Sequence, residues 1–371
     1  MRSVLVYYPF TLATKADSGS KLRPIEMLKA FEAWGNAENV KVIAIHGNSR
    51  ERKEQFHKLR KNGELDQLLF CYVENQTIPV WLTDPGHIPK APFIDWTVFR
   101  FLKKKGVPIG VFYRDVYWKF DELYPLKGWK KKLMRMVYRI EEKFFQTYAK
   151  AIFLPSLAMG EYVGIDRMKA ALPPGGKSLS EPKPAVSKRN YEGLYVGGIA
   201  HRDYGLSLML DALEIVKSRD IPFSLTIVCR EGEYQALPEN EKVRISECNV
   251  QVKHVSGPEL DALYREMDFA LIPRFPSKYN HFSVPVKLVE YLSNRLPVIA
   301  TNCTAQQSLI ESGPYGTICE ATPESMAQAI EKMIENQAVY AAQIERDFLR
   351  HHSWLARVRT VKSTLIEEGV L

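Results

Sequence analysis

The chain reads as an α/β protein with two domains, each built on a doubly wound parallel sheet, and three observations predict this. Strand-length apolar runs alternate with helical patterns along 371 residues, a length that suffices for two separate cores. Glycine and charged residues gather where the apolar runs end, as ligand-binding residues do beyond the carboxyl ends of parallel strands. The stretch Phe282–Asn302 then sets a loop, a helix and a buried strand in immediate succession.

From the N-terminus, Val4–Tyr8 is a first strand, Thr11–Ser20 a loop, Leu22–Trp34 a helix and Val40–Ile45 a second strand. Met1–Pro9 has the outline of a stunted signal peptide. A buried strand fits it better, because the apolar run is short, is broken by Pro9 and lacks a small-residue cleavage site. Gly19 and Ser20 fall where a ligand of this unit belongs, and Arg23 one turn later either faces the same crevice or is a solvated surface arginine. Thr77–Leu82 and Pro108–Tyr113 are the next expected strands, the second followed by Arg114, Asp115, Tyr117 and Lys119. Asp115 there is either a base that activates an acceptor hydroxyl or a cap on the next helix.

Trp129–Phe145 predicts a basic amphipathic helix. Trp129, Leu133, Met136, Val137, Ile140 and Phe144 recur at helical steps among Lys130, Lys131, Lys132, Arg135, Arg139 and Lys143. Such a helix lies on an anionic membrane, or packs its stripe inward and keeps a basic outer face; with the stripe inward, the lysines alone can still meet lipid headgroups. Ala151–Leu154 is a strand, and Pro173–Asn190 has linker composition. Pro-Pro-Gly-Gly-Lys-Ser within it mimics the end of a P-loop, but the motif's first glycine would stand at Ala171.

The second half opens on the strand Gly193–Val196 and the pair Gly197-Gly198, which lets a phosphate approach the backbone, with Arg202 placed to clamp it. A helix follows, Leu206–Lys217, then strands Leu225–Cys229 and Val250–Val255, a helix Glu259–Met267 and a strand Phe269–Ile272. The loop Ser277–Phe282 leads into the helix of the opening stretch, for which Ser283 is a suitable N-cap and Pro285 a first-turn residue. Leu296–Ala300 is the next strand, Thr317–Cys319 a small one, Pro323–Asn336 a helix, and a last helix follows Ser353-Trp354. In the 284–293 helix Lys287 and Glu290 lie three apart on one face. They form either a surface ion pair or a phosphate-binding cation beside a carboxylate that accepts from ribose hydroxyls, with the helix amides adding to the phosphate site.

The composition, 46% hydrophobic and 25% charged, is that of a soluble globular protein, and no apolar run has the length of a membrane span. Five widely spaced cysteines, Cys71, Cys229, Cys248, Cys303 and Cys319, argue against a disulfide framework or a zinc knuckle and for a reducing cytoplasm. A net charge of +8 favours anionic partners: nucleotide donors, a phospholipid surface or nucleic acid, for the last of which no motif is present.

The run from Phe282 to Asn302 resembles the donor-site motif of retaining glycosyltransferases with the GT-B fold, family 4 (glycosyl transferases group 1), in which a proline-containing loop leads into a helix carrying a ribose-binding glutamate and then a "Pro-Val-Ile-Ala" strand. Glu290 matches that glutamate. A second family glutamate, eight residues earlier, is Phe282 here, and the arginine expected after the first glycine of the phosphate loop is Gly198. The resemblance implies two Rossmann-like domains facing a central cleft: an acceptor domain over 1–175, a donor domain over 190–345 and a terminal helix, 346–371, crossing back to the first. It implies a metal-independent retaining transferase moving a hexose-type sugar from a nucleoside diphosphate-sugar, expected to be a UDP-sugar, to a hydroxyl of a glycan or lipid-linked glycan. No cofactor or metal is expected, and the sequence has no Asp-x-Asp triplet. Asp115, Arg202 and Lys287 are the implied catalytic residues. Gly197, Gly198, Arg202, His254, Ser283, Val284, Lys287 and Glu290 are the implied donor contacts, and Gly19, Ser20 and Arg23 the acceptor or phosphate loop. The setting expected is cytoplasmic, with peripheral contact to the inner membrane face through 129–145. A nucleotide-sugar epimerase and a degenerate partner subunit are the alternatives on the same fold.

Overall fold

A computed structural model describes residues 2–14, 19–179 and 190–366. The loop expected at Thr11–Ser20 and the linker at Pro173–Asn190 therefore lie partly outside the described residues. The chain divides into two compact units, residues 1–175 with 354–371, and residues 176–353.

The first unit runs β1 (Ser3–Tyr7), α1 (Gly19–Glu38), β2 (Lys41–Ile45), α2 (Ser49–Lys61), β3 (Leu68–Glu74), α3 (Ile94–Lys104), β4 (Ile109–Phe112), α4 (Gly128–Tyr148), β5 (Ala151–Leu154) and β6 (Met168–Ala171). The second runs β7 (Tyr191–Val196), α5 (Leu206–Ser218), β8 (Phe223–Val228), α6 (Glu231–Gln235), α7 (Glu239–Glu247), β9 (Gln251–Lys253), α8 (Pro258–Glu266), β10 (Phe269–Ile272), α9 (Lys278–Phe282), α10 (Val286–Ser293), β11 (Val298–Thr301), α11 (Thr304–Glu311), β12 (Gly316–Cys319), α12 (Pro323–Gln343) and α13 (Leu349–His352). The last helix, α14 (Trp354–Leu365), returns to the first unit.

Each unit holds a six-stranded parallel sheet, ordered β2-β1-β3-β4-β5-β6 and β12-β11-β10-β7-β8-β9. The strands are short, nearly continuous apolar runs because helices cover both faces of a parallel sheet. In the first unit Val4, Val6, Phe31, Phe70 and Tyr72 share one core with Val358, Val361 and Leu365 of α14. In the second, Leu210, Leu213, Ile227 and Ile330 pack on one side of the sheet, and Leu288, Leu292, Val298 and Ala300 on the other.

Several boundaries differ from those read in the sequence. Thr77–Leu82 is not a strand: Pro79 offers no N–H to a ladder, Val80–Leu82 is a 3₁₀ turn, and the Val80 N–H donates 2.7 Å to the buried Glu141 carboxylate. The strand in that place is β3, an apolar run the sequence reading passed over. Helix α12 continues past Asn336 into a π-helical segment, Ile344–Phe348, held by Phe348 packing on Tyr315 and His352. The terminal helix therefore starts at Trp354, not at 346.

Glu141 is wholly buried on α4, and burial pushes its carboxyl up to about 8 from an ordinary 4.5. The folded chain holds this proton more tightly than the unfolded chain, so the stability it contributes is complete below about 4.5 and is lost as pH rises through about 8. Glu141→Gln is expected to flatten the decline of unfolding free energy over that range in urea melts; an unchanged slope would place the titration on another group.

Candidate functional site

In the second sheet the winding direction reverses between β7 and β10, which pair in parallel at Gly193–Phe269 and Leu194–Ala270. At such a switch point the connections leave to opposite sides, and a crevice opens beyond the strand ends. The residues delivered there are Gly197-Gly198 after β7 and Pro273-Arg274 after β10.

Two adjoining cavities occupy this place. One, about 310 Å³, is lined by Gly197, Gly198, Arg274, Ser283, Val284 and Lys287, among others. Its neighbour, about 530 Å³, shares Gly197, Gly198 and Tyr204 and adds Cys229, Glu233, His254, Val255 and Ser256. The structure thus brings together seven of the residues singled out in the second half, counting Glu290 one turn behind Lys287.

The glycine loop is held from three sides. The Tyr195 hydroxyl donates 2.6 Å to the Gly198 carbonyl, and the Ile199 N–H donates 2.9 Å to Glu233. Gly205 closes the turn in a left-handed conformation, φ 77°, and a Cβ there would lie 2.0 Å from the Pro273 carbonyl oxygen, so only glycine fits. A Cβ at Gly198 would stand 2.6 Å from the Tyr204 ring and 3.1 Å from the Glu233 carboxylate, so a side chain there would have to displace them.

Helix α10 begins at Val286 after Pro285, and no side chain caps it. Its first amides and the positive end of its dipole therefore remain available at the cavity wall. Ser283 is not the cap read from the sequence, because it closes α9 instead: its N–H donates to Tyr279, and its hydroxyl accepts from Arg274 at 3.1 Å. Phe282 is buried against Tyr279 and belongs to the core of this loop.

Arg274 is the cation that sequence reasoning missed. It is half-buried, among the described residues no carboxylate pairs with it, and desolvation draws its pKa below the ordinary arginine value. Arg202, proposed for this place, is exposed on a 3₁₀ turn with its guanidinium 5.3 Å from the Phe275 ring centre, and it lines neither cavity. A charged residue one proline beyond a fully apolar strand was the available signal for Arg274. Lys287 does pair with Glu290 at 2.8 Å, and the buried Tyr264 hydroxyl donates 2.6 Å to the same carboxylate. Tyr264 thus fixes Glu290 whether or not Lys287 is engaged elsewhere. His254 lies with Nδ1 3.0 Å from the Cys229 carbonyl oxygen, in the floor of the larger cavity.

In the first unit Asp115 accepts from the Val116 and Tyr117 N–H groups at 2.7 and 2.9 Å, just ahead of the 3₁₀ turn Tyr117–Lys119, whose N-cap position is Val116. Arg23 is not a solvated arginine: it is buried, its guanidinium 3.6 Å from the Phe112 ring centre and 3.6 Å from Glu74, which also takes Arg114 at 2.9 Å. Gly19 and Ser20 form the first turn of α1.

Residues 191–336 match the family model described as glycosyl transferases group 1. No curated protein sequence matches the chain. Among solved structures, a glycosyltransferase from Rickettsia africae is similar at 13% identity and a TM-score of 0.62, over 99% of this chain and all of that one. Anabaena HepE in complex with UDP is similar at 13% identity and a TM-score of 0.60, over 98% and 99% of the two chains. Sucrose-phosphate synthase from Thermosynechococcus elongatus gives 12% identity and a TM-score of 0.56 over 97% of each. Residues 191–336 are thus similar to the glycosyl transferases group 1 family, and the chain has the GT-B fold.

Proposed function

We propose that the protein is a metal-independent, retaining glycosyltransferase that takes a hexose-type sugar from a UDP-sugar and places it on a hydroxyl of a glycan or lipid-linked glycan. The observation that carries this reading is Arg274, a cation without an anionic partner among the described residues, directed with the uncapped start of α10 and Lys287 at one cavity. Breaking a sugar–diphosphate bond leaves negative charge on the departing phosphate, and fixed cations and amides stabilise that charge most where water is excluded. HepE is seen with UDP and with UDP-glucose on a similar fold, which supports uridine as the base.

On this reading the diphosphate lies between Gly197-Gly198 and the α10 amides, Arg274 and Lys287 share its charge, and Glu290 accepts from ribose hydroxyls. The base enters the larger cavity beside His254. Arg202 reaches the same phosphates after leaving Phe275. In the acceptor unit Asp115 takes the hydroxyl proton, and Gly19, Ser20 and Arg23 shape the acceptor loop. The five cysteines are unpaired, which fits the reducing cytoplasm this reading assumes.

Incubation of pure protein with UDP-sugars tests the class: slow release of UDP and free sugar is expected, whereas epimer formation would make it an epimerase and inertness toward every donor a partner subunit. Glu290→Ala is expected to weaken UDP binding by about 1–3 kcal/mol, the scale of a lost charge-assisted hydrogen bond, as read by calorimetry. Arg274→Ala should weaken it roughly tenfold or more, a larger loss than Arg202→Ala; the reverse order would return the phosphate to Arg202. Asp115→Asn keeps an oxygen for the Val116 and Tyr117 amides and should lower kcat with UDP affinity unchanged. Full turnover in that variant would leave Asp115 only its hydrogen bonds to the following backbone.

A further inference from the structure

Helix α4 has two faces, and this corrects the single stripe read from its sequence. Tyr138, Glu141, Phe144 and Phe145 are buried, with Tyr138 stacked on Trp118 at 4.8 Å and Phe144 against Trp81, Trp96 and Phe99. Trp129, Leu133, Met136 and Ile140 instead point outward, exposed by 70, 46, 51 and 43%. Steps of four, three and four residues set these side chains in one line about 16 Å long. Large apolar groups lined up on a surface mark a contact with something less polar than water.

The charges beside the line identify that contact. Lys132, Arg139 and Lys143, at steps of seven and four, run along one border, and Lys130 lies on the other. Among the described residues none of these four forms an ion pair. Lys131 and Arg135 are already engaged by Asp121, at 2.7 and 2.5 Å. The helix's own carboxylates, Glu141 and Glu142, are both inside. The outward face of α4 is therefore apolar and positive, with no acid of its own. A second copy of the chain meeting this face symmetrically would set lysine against lysine. Among the described residues no helix is long and apolar enough to cross a membrane, so a lipid contact here is made in the plane of the surface.

We propose that the outer face of α4 docks on an anionic bilayer: Trp129, Leu133, Met136 and Ile140 enter the headgroup–acyl boundary while Lys130, Lys132, Arg139 and Lys143 meet lipid phosphates. The two sets of contacts need each other, because four apolar side chains give modest partitioning and four cations hold the helix only within a screening length of the surface. This surface is independent of the donor reading, since it lies wholly in the first unit and involves no nucleotide.

The test is co-sedimentation of the full chain with vesicles of phosphatidylcholine alone or mixed with phosphatidylglycerol. Binding to the anionic vesicles, weakened at about 0.5 M salt, is expected. A Leu133→Ser, Met136→Ser double variant and a Lys132→Glu, Arg139→Glu, Lys143→Glu triple variant should each lower partitioning about tenfold or more, with wild-type circular dichroism and thermal melting. Brominated lipids should quench a tryptophan signal that is missing in Trp129→Phe. Wild-type protein that ignores anionic vesicles, or variants that bind as it does, would overturn the proposal. So would a concentration-dependent dimer in sedimentation velocity that the same substitutions abolish, since the face would then belong to a second copy.

Discussion

A positive charge without a counter-charge of its own organises the second unit. Arg274 stands at the end of β10, where the sheet changes winding direction, and the described residues supply only the Ser283 hydroxyl and carbonyl as its hydrogen-bond partners. Holding a guanidinium there costs desolvation, as its lowered pKa records. An anion entering the crevice would recover that cost. The bare start of α10 adds the same sign of potential to the same cavity.

A site that works by fixed charge needs walls that do not relax. Tyr195 and Glu233 pin the glycine loop, Gly205 sets its exit, and Tyr264 holds Glu290 in place. Tyr291, buried beneath, accepts the Val196 N–H at 2.8 Å and joins the strand end to α10. The anchors are thus tyrosines and carboxylates in and beside the cavity walls, and they keep the backbone groups in position. Preorganisation of this kind is what makes an electrostatic site effective.

Much of this was legible in the sequence, and the failures share a cause. The stretch from Phe282 to Asn302 carried its own signals: helical spacing, a proline at the first turn and a strand-sized apolar run. Gly197-Gly198 could be placed because it follows a strand. Arg274 could not be weighed against Arg202, because their ranking depends on which strand neighbours β7, and strand order is a property of the sheet, not of the local chain. Ser283 misled because an N-cap and the last residue of a preceding turn have the same composition. Thr77–Leu82 looked like a strand until Pro79 and the partner of the Val80 amide were taken into account. The residues of α4 were read as one stripe because periodicity counts positions on a helix without telling which arc of it meets protein.

The path of the chain also bears on how it is made. Val358, Val361 and Leu365 complete the core that β1, α1 and β3 begin, and Gly110 on β4 is packed so closely on Leu365 that a Cβ there would come within 2.9 Å of it. The sheet that leaves the ribosome before residues 176–353 is thus finished by a segment that leaves after them. Residues 176–353, by contrast, form a continuous insert that has its whole sheet as soon as it emerges. Synthesis therefore leaves the early sheet with an uncovered apolar patch for as long as the inserted unit takes to be translated, and the final helix closes it.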